Sequence, residues 1–191
     1  MIENFINLIE NVDVKLFFLI NHSKLYFLDD FFYLISQKYF WLPILFILFI
    51  LIRRKIKKYV YIYLFLALLN VFFSDQISNF IKKRVKRYRP THNLVIKEKV
   101  RTIREYKGGL YGFVSSHASN FASICVFLIK TKVLSNLNIV FVISVFLVSY
   151  SRVHLGVHFP SDIVGGWLLG IIIGVITSKI WKKVEKNLNL K

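Results

Sequence analysis

Acidic residues are scarce in this chain: 10 Asp and Glu stand against 27 Lys and Arg in 191 residues. That deficit argues against the carboxylate cluster on which two-metal catalysis depends. Cysteine occurs once, at Cys125, inside an apolar run. An intramolecular disulfide and a Cys-based metal site are both excluded, and Cys125 reads as a small core or lipid-facing residue. The opening Met-Ile-Glu-Asn-Phe has neither a basic stretch nor a small-residue cleavage site. Insertion is therefore expected to rely on internal spans rather than a cleaved leader. Internal repeats and low-complexity linkers are lacking as well.

Apolar surface is abundant. Hydrophobic residues make up 55% of the chain and aromatic residues 17%, with 19 Phe, well beyond a soluble domain's share. Several runs approach the length of roughly 20 residues that crosses a bilayer as a helix. The chain reads as all-α, a polytopic membrane helical bundle in a single membrane domain, residues 1–191. About five to six transmembrane helices are expected, plus an N-terminal amphipathic interfacial helix. The net charge of +17 must then sit in loops and ends, facing anionic headgroups or a phosphate-bearing substrate. Its division among short loops argues against nucleic acid.

Phe5, Ile6, Ile9, Val12 and Leu16 recur at helical spacing, with Glu3, Glu10, Asp13 and Lys15 between them. That pattern suits a helix lying in the interface within residues 1–30. Asp29-Asp30 opens a second segment. The apolar run Tyr39–Ile52 is short, so its span is expected to begin near Phe31, with Pro43 kinking it. Further spans are expected at Tyr59–Phe80, Val114–Leu134, Leu137–Tyr150 and Ile163–Trp181. In the last of these, Gly166, Gly170 and Gly174 allow close helix packing. The basic turn Arg53–Lys58 reads as a membrane anchor, and the connection Ile81–Phe113 holds eleven Lys and Arg.

Counting spans sorts these features by side. The basic connection, the Ser115–His117 turn and the Arg152–Asp162 stretch share one face. The Arg53–Lys58 turn, Lys130 with Lys132 and the basic tail take the other. Positive charge is divided about equally, so the positive-inside rule alone does not orient the chain. Giving the anchors precedence places the clustered side outside the cytoplasm.

The chemistry gathers on that side. Ser151–Asp162 reads Ser-Arg-Val-His-Leu-Gly-Val-His-Phe-Pro-Ser-Asp, with ionisable groups between two apolar runs. His158 and Asp162 are four apart, and a carboxylate behind an imidazole fixes its tautomer and raises its basicity. Such a pair can also merely cap a helix. Lys82 and Arg89 are two helical turns apart, on one face of a helix that Pro90 ends, and can grip a phosphate from two directions. A solvated basic run would look the same. Ser115 and Ser116 stand at a helix start, where free N–H groups bind anions, with His117 at the edge. Together these groups can bind phosphate, with His158 as nucleophile and His117 as proton donor and acceptor. Lys82, Arg89, Arg152 and the Ser115/Ser116 backbone would stabilise charge on phosphorus. No metal or cofactor is called for. Arg101, Arg104 and Lys107, beside Tyr106 and Tyr111, are candidates for a headgroup near the mouth; His22, His92 and His154 lie outside these clusters, and His154 reads as structural.

The residues resemble the phosphatidic acid phosphatase type 2 superfamily of membrane lipid phosphatases. Its first motif, Lys, six residues, Arg-Pro, is matched by Lys82 through Arg89-Pro90. The third, Ser-Arg, five residues, His, three residues, Asp, is matched by Ser151-Arg152, His158 and Asp162. The second, Pro-Ser-Gly-His in the family, stands here as Val114-Ser115-Ser116-His117, and Ser in place of Gly requires a backbone that avoids positive φ or tolerates some strain. The resemblance covers roughly residues 59–181 as a catalytic core. It implies a helical bundle, a phosphohistidine on His158, His117 as acid–base partner and a lipid phosphate substrate met at the outer face of a bacterial inner membrane. The short chain looks most like the small bacterial members: lipid A 1-phosphatases, phosphatidylglycerophosphate phosphatases and undecaprenyl pyrophosphate phosphatases. The alternative is a non-catalytic membrane protein that binds or transports a phosphate-bearing lipid. Vanadate-dependent halide oxidation is disfavoured by the apolar spans.

Overall fold

A computed structural model describes residues 2–188, with side chains from residue 10 onward. Seven α-helices follow in order: α1 (Ile2–Asn21), α2 (Asp29–Ile35), α3 (Leu42–Ile56), α4 (Val60–Val85), α5 (Ser116–Thr131), α6 (Asn138–His154) and α7 (Pro160–Asn187). Helical stretches at Ser135–His154 and Pro160–Asn187 are long and apolar enough to cross a membrane, and Tyr26–Ile35 meets Lys38–Val85 at a bend of 73°. The span expected to begin near Phe31 is thus broken, with α2 ending at Ile35. Pro43 does not kink a span. It stands in the first turn of α3, where its missing N–H costs nothing.

Helix α5 is central and packs on α4, α6 and α7. Apolar burial does not drive helix association inside lipid, so close approach and polar contacts must. The α5–α7 seam supplies the first. A Cβ on Gly166 would stand 2.6 Å from the Ser115 carbonyl oxygen, and one on Gly170 would strike the Ser119 carbonyl oxygen. Gly174 meets the next turn of α5 in the same way. The α4–α5 seam supplies the second. Asn70, Ser74, Ser78 and Lys82 recur every fourth residue on α4 and are all buried. Asn70 Nδ2 donates to the Ser123 carbonyl oxygen at 3.3 Å and also reaches Thr177 Oγ1 of α7 at 2.6 Å, Ser74 bonds Ser119 at 2.6 Å and Ser78 bonds Ser116 at 2.7 Å. At the far end Tyr63, Phe127 and Trp181 pack ring against ring.

Helix α1 forms as expected, but its described half is turned. Asp13, Phe17 and Asn21 are buried, while Val12, Leu16 and Leu19 face outward. The polar residues go inward because partners wait there: Asn21 donates to the carbonyl oxygens of Arg101 and His154, both at 2.9 Å. Phe5, Ile6 and Ile9 lie outside the described side chains.

Candidate active site

A cavity of about 640 Å³ opens where α4 ends and α5 and α7 begin. Lys82, Arg89, Ser116, His117, Arg152 and His158 all line it. Three segments far apart in sequence therefore share one concavity, at the end of α4 opposite the Arg53–Lys58 turn.

Local backbone explains each placement. After α6 the chain reverses at Gly156, whose φ of +79° is open to glycine, and a Cβ there would lie 2.8 Å from Val100 Cγ1. His158 follows, immediately ahead of α7. Asp162, in the first turn of α7, accepts the Phe159 N–H at 3.0 Å and His158 Nδ1 at 3.1 Å through the same oxygen. The residue therefore caps the helix and orients the imidazole together. Gly112 leaves room for it, since a Cβ there would sit 2.6 Å from Asp162 Oδ2. Nδ1 carries the proton in this arrangement, and Nε2 has no hydrogen bond to any described residue.

Ser115 caps α5, its Oγ accepting from Ala118 N at 3.4 Å. Its N–H is taken by the Asp162 carbonyl oxygen at 2.9 Å. That bond ties the second motif to the third, and it leaves Ser116 as the serine facing the cavity. Ser116 sits in the first helical turn and is not among the positive-φ residues, so its side chain is accommodated. Its Oγ accepts from Lys82 Nζ. His117 Nε2 lies 3.3 Å from the Ser36 carbonyl oxygen at the end of α2.

Arg89 reaches the cavity by a different route from the one the spacing predicts. Helix α4 ends at Val85, Lys86 adopts a left-handed conformation, and Arg89 is extended. Lys82 and Arg89 do not share a helix face. A bridge between Tyr88 and Tyr111 brings Arg89 back, and its Nε donates to the Tyr111 carbonyl oxygen at 3.0 Å. Burial and the neighbouring Arg152 bring the Arg89 guanidinium down to about 10, still charged at neutral pH. Arg152, 1% exposed, donates to Tyr106 Oη at 3.0 Å, and its Nε and NH1 are buried with no partner among the described residues. Burial works to raise the Tyr106 phenol, but Arg152 outweighs it and holds the phenol below its ordinary value. Burial, reinforced by Arg89, Arg152, Lys82 and Arg87, holds the His158 imidazole well below its usual range. It is neutral at neutral pH.

Two residues that the motifs do not single out join the site. Arg87 NH1 donates to Asp162 Oδ1 at 2.8 Å, and NH2 to Asp13 Oδ2 at 2.6 Å. Asp13 also accepts the Ser161 N–H at 2.9 Å, pinning the start of α7 to α1. The Arg87 guanidinium lies over the Phe159 ring at 4.4 Å. Both acids are therefore compensated, and Arg87 remains charged despite burial because Asp162 and Asp13 flank it. Asp13 comes from a charged stripe on α1 that the sequence assigns to the interface, so only the inward turn of that helix reveals it.

The headgroup role expected of Arg101 and Arg104 is not what the structure shows. Arg101 pairs with Asp29 at 2.7 Å and Arg104 with Asp30 at 2.9 Å, fastening the loop to α2. Tyr106 and Tyr111 do line the cavity. His154 is buried against Asp29 at 2.7 Å, and His22 meets the Lys99 carbonyl oxygen.

A helical bundle holding a buried His–Asp pair against unpartnered guanidinium N–H groups defines a membrane enzyme that handles phosphate. The family model described as the PAP2 superfamily matches residues 59–186, and the chain belongs to that superfamily. The lipid A 4′-phosphatase of Porphyromonas gingivalis is 36% identical over 175 residues, 89% of this chain and 73% of that one. The undecaprenyl-diphosphatase of Sulfolobus acidocaldarius is 30% identical over 187 residues, 92% and 84% of the two chains. Among solved structures, a transmembrane PAP2 type phosphatidylglycerolphosphate phosphatase from Bacillus subtilis superposes with a TM-score of 0.70. It shares 23% identity over 93% of this chain and 88% of that one, a likeness of fold. The chain is a phosphatase, a hydrolase of phosphoric esters or anhydrides. The first relative's name specifies the 4′ phosphate of lipid A, where the resemblance of motifs implied the 1-phosphate as one of three lipid substrates.

Proposed function

We propose that the chain is an integral enzyme of a bacterial inner membrane that removes phosphate from a lipid, without a metal, through a phosphohistidine on His158. Arg152 carries this reading: its buried Nε and NH1 have no partner among the described residues, in the cavity that His158 lines. A phosphoryl group there would satisfy both donors, with Lys82, Arg89 and the Ser116 hydroxyl and N–H around its remaining oxygens. The lone pair of His158 Nε2 attacks phosphorus, and the P–O bond to the lipid breaks. The leaving oxygen takes a proton from His117, whose charged form the negative charge of the bound phosphate favours. Water then attacks the phosphohistidine, giving its proton to His117, and the N–P bond breaks to release inorganic phosphate and restore the imidazole. Asp162 holds the Nδ1 proton throughout and stabilises positive charge on the ring.

In the membrane, α3 to α7 make five crossings, and α1 with α2 lie at the outer surface as part of one domain. The Arg53–Lys58 turn then faces the cytoplasm and the cavity faces the periplasm. The substrate is a lipid A phosphate, a reading supported by the relative of that name. Phosphate release from lipid A, phosphatidylglycerophosphate, phosphatidic acid and undecaprenyl pyrophosphate, in detergent with EDTA, tests it. Turnover lost with the chelator, or persisting in His158→Ala, overturns the mechanism. Highest kcat/KM on another lipid overturns the substrate.

A further inference from the structure

The cavity has a second kind of wall. Besides the cations it is lined by Asp75, Gln76 and Asn79, all from α4. These residues are not part of the polar seam that holds α4 to α5, which runs through Asn70, Ser74, Ser78 and Lys82. A carboxylate in a phosphate cavity weakens the attraction for a dianion, and polar side chains along a spanning helix are costly, so their presence calls for a function. Asn79 Nδ2 donates to Asp75 Oδ2 at 2.9 Å. Asp75 Oδ1, the Asn79 carbonyl and the Gln76 amide have no hydrogen bond to any described residue, so acceptors predominate on this wall. Asp75 lies seven residues before Lys82, about 10 Å along the helix, a separation that reaches past a bound phosphate into the unit esterified to it.

We propose that this wall is a subsite for hydrogen-bond donors on the phosphorylated unit of the lipid, hydroxyl or amide N–H groups such as an acylated amino sugar carries. Asp75 is the anchoring acceptor, held by Asn79, and Gln76 extends the row. An isoprenoid offers only hydrocarbon beyond its phosphates, and a diacylglycerol phosphate offers ester carbonyls, which are acceptors. Either would desolvate Asp75 Oδ1 without supplying it a donor, so the subsite selects by penalty as well as attraction. This inference rests on the phosphatase reading and names the chemistry of its substrate.

The test compares the full chain with Asp75→Asn and Asn79→Ala in mixed micelles. The substrates are an acylated glucosamine phosphate lipid, phosphatidic acid and undecaprenyl pyrophosphate. The expected result is a wild-type preference for the sugar lipid, with its kcat/KM relative to phosphatidic acid falling by at least about tenfold in Asp75→Asn. Asn79→Ala should reduce the same ratio by less. An equal change on all substrates, or a wild type that prefers the isoprenoid, overturns the subsite. Calorimetric binding of the sugar lipid separates the two readings. A chain that turns over none of the lipids, yet binds it at least about tenfold more tightly than Asp75→Asn does, retains the subsite and loses the phosphatase reading. Equal binding by wild type and variant overturns the subsite whatever the turnover.

Discussion

Two cationic concavities stand at opposite ends of α4. One holds Lys82, Arg89 and Arg152 in about 640 Å³; the other, about 540 Å³, holds Arg53, Arg54, Lys57 and Lys58 with Phe49, Ile50, Val60 and Tyr61. Charge and size barely distinguish them. Constraint does: in the first, Lys82 bonds Ser116, Arg89 bonds two backbone carbonyls and Arg152 is buried beneath Tyr106. In the second, all four cations are exposed and no imidazole lines the concavity. A cluster of like charge becomes a reaction centre when burial and hydrogen bonds leave a few donors aimed at one point, and an anchor when they do not.

Substitution can break that contrast. The largest effect is expected for His158→Ala, with kcat falling by at least about a thousandfold in a phosphate-release assay, since the nucleophile is gone. Arg152→Ala should lower kcat/KM by about a hundredfold to a thousandfold. Arg152→Lys should recover little of it, because a point charge does not replace the fork. Loss of the clamp on Asp162 ranks next: Arg87→Gln is expected to cost about tenfold to a hundredfold and to move the acid limb of the kcat/KM profile. The sign follows from His158, held below its ordinary value of about 6.5. Its neutral form is the reactive one, so activity from this group persists below pH 6.5 and is lost as pH falls through the depressed value. Removing a cation raises that value and shifts the limb upward, and a limb that stays put would detach Arg87 from the dyad. The same depression makes acid destabilising, because the unfolded chain protonates first as pH drops below about 6.5. The smallest effect belongs to the other concavity: Arg53→Ala with Arg54→Ala should leave kcat/KM within about twofold. A large loss there would erase the distinction.

How much of this could be read from the chain differs by residue. His158, Asp162, Lys82 and Arg152 lie in motifs whose spacing is itself chemical, and the structure gathers them. The α7 glycines were equally legible, because small residues four apart have one common use in a membrane. Arg89 was legible as a ligand but not in its path, since nothing in the chain announces a non-glycine left-handed residue at Lys86. Arg87 and Asp13 are 74 residues apart, and no periodicity links an arginine in a basic run to an aspartate on an amphipathic helix. Arg101 and Arg104 misled for the same reason, as Asp29 and Asp30 reach them only through the fold. The break between α2 and α3 was hidden because each piece is short and apolar.

The glycine seam of α7 also limits how a lipid can enter. Side chains that interdigitate can swing aside, but backbones in direct touch have nothing to swing. Parting α5 from α7 would open a gap that the α7 glycines have no side chains to fill. The doorway must therefore lie on the remaining borders, along α4 and the segment carrying Tyr106 and Tyr111, and that is where labels reporting opening and closing belong.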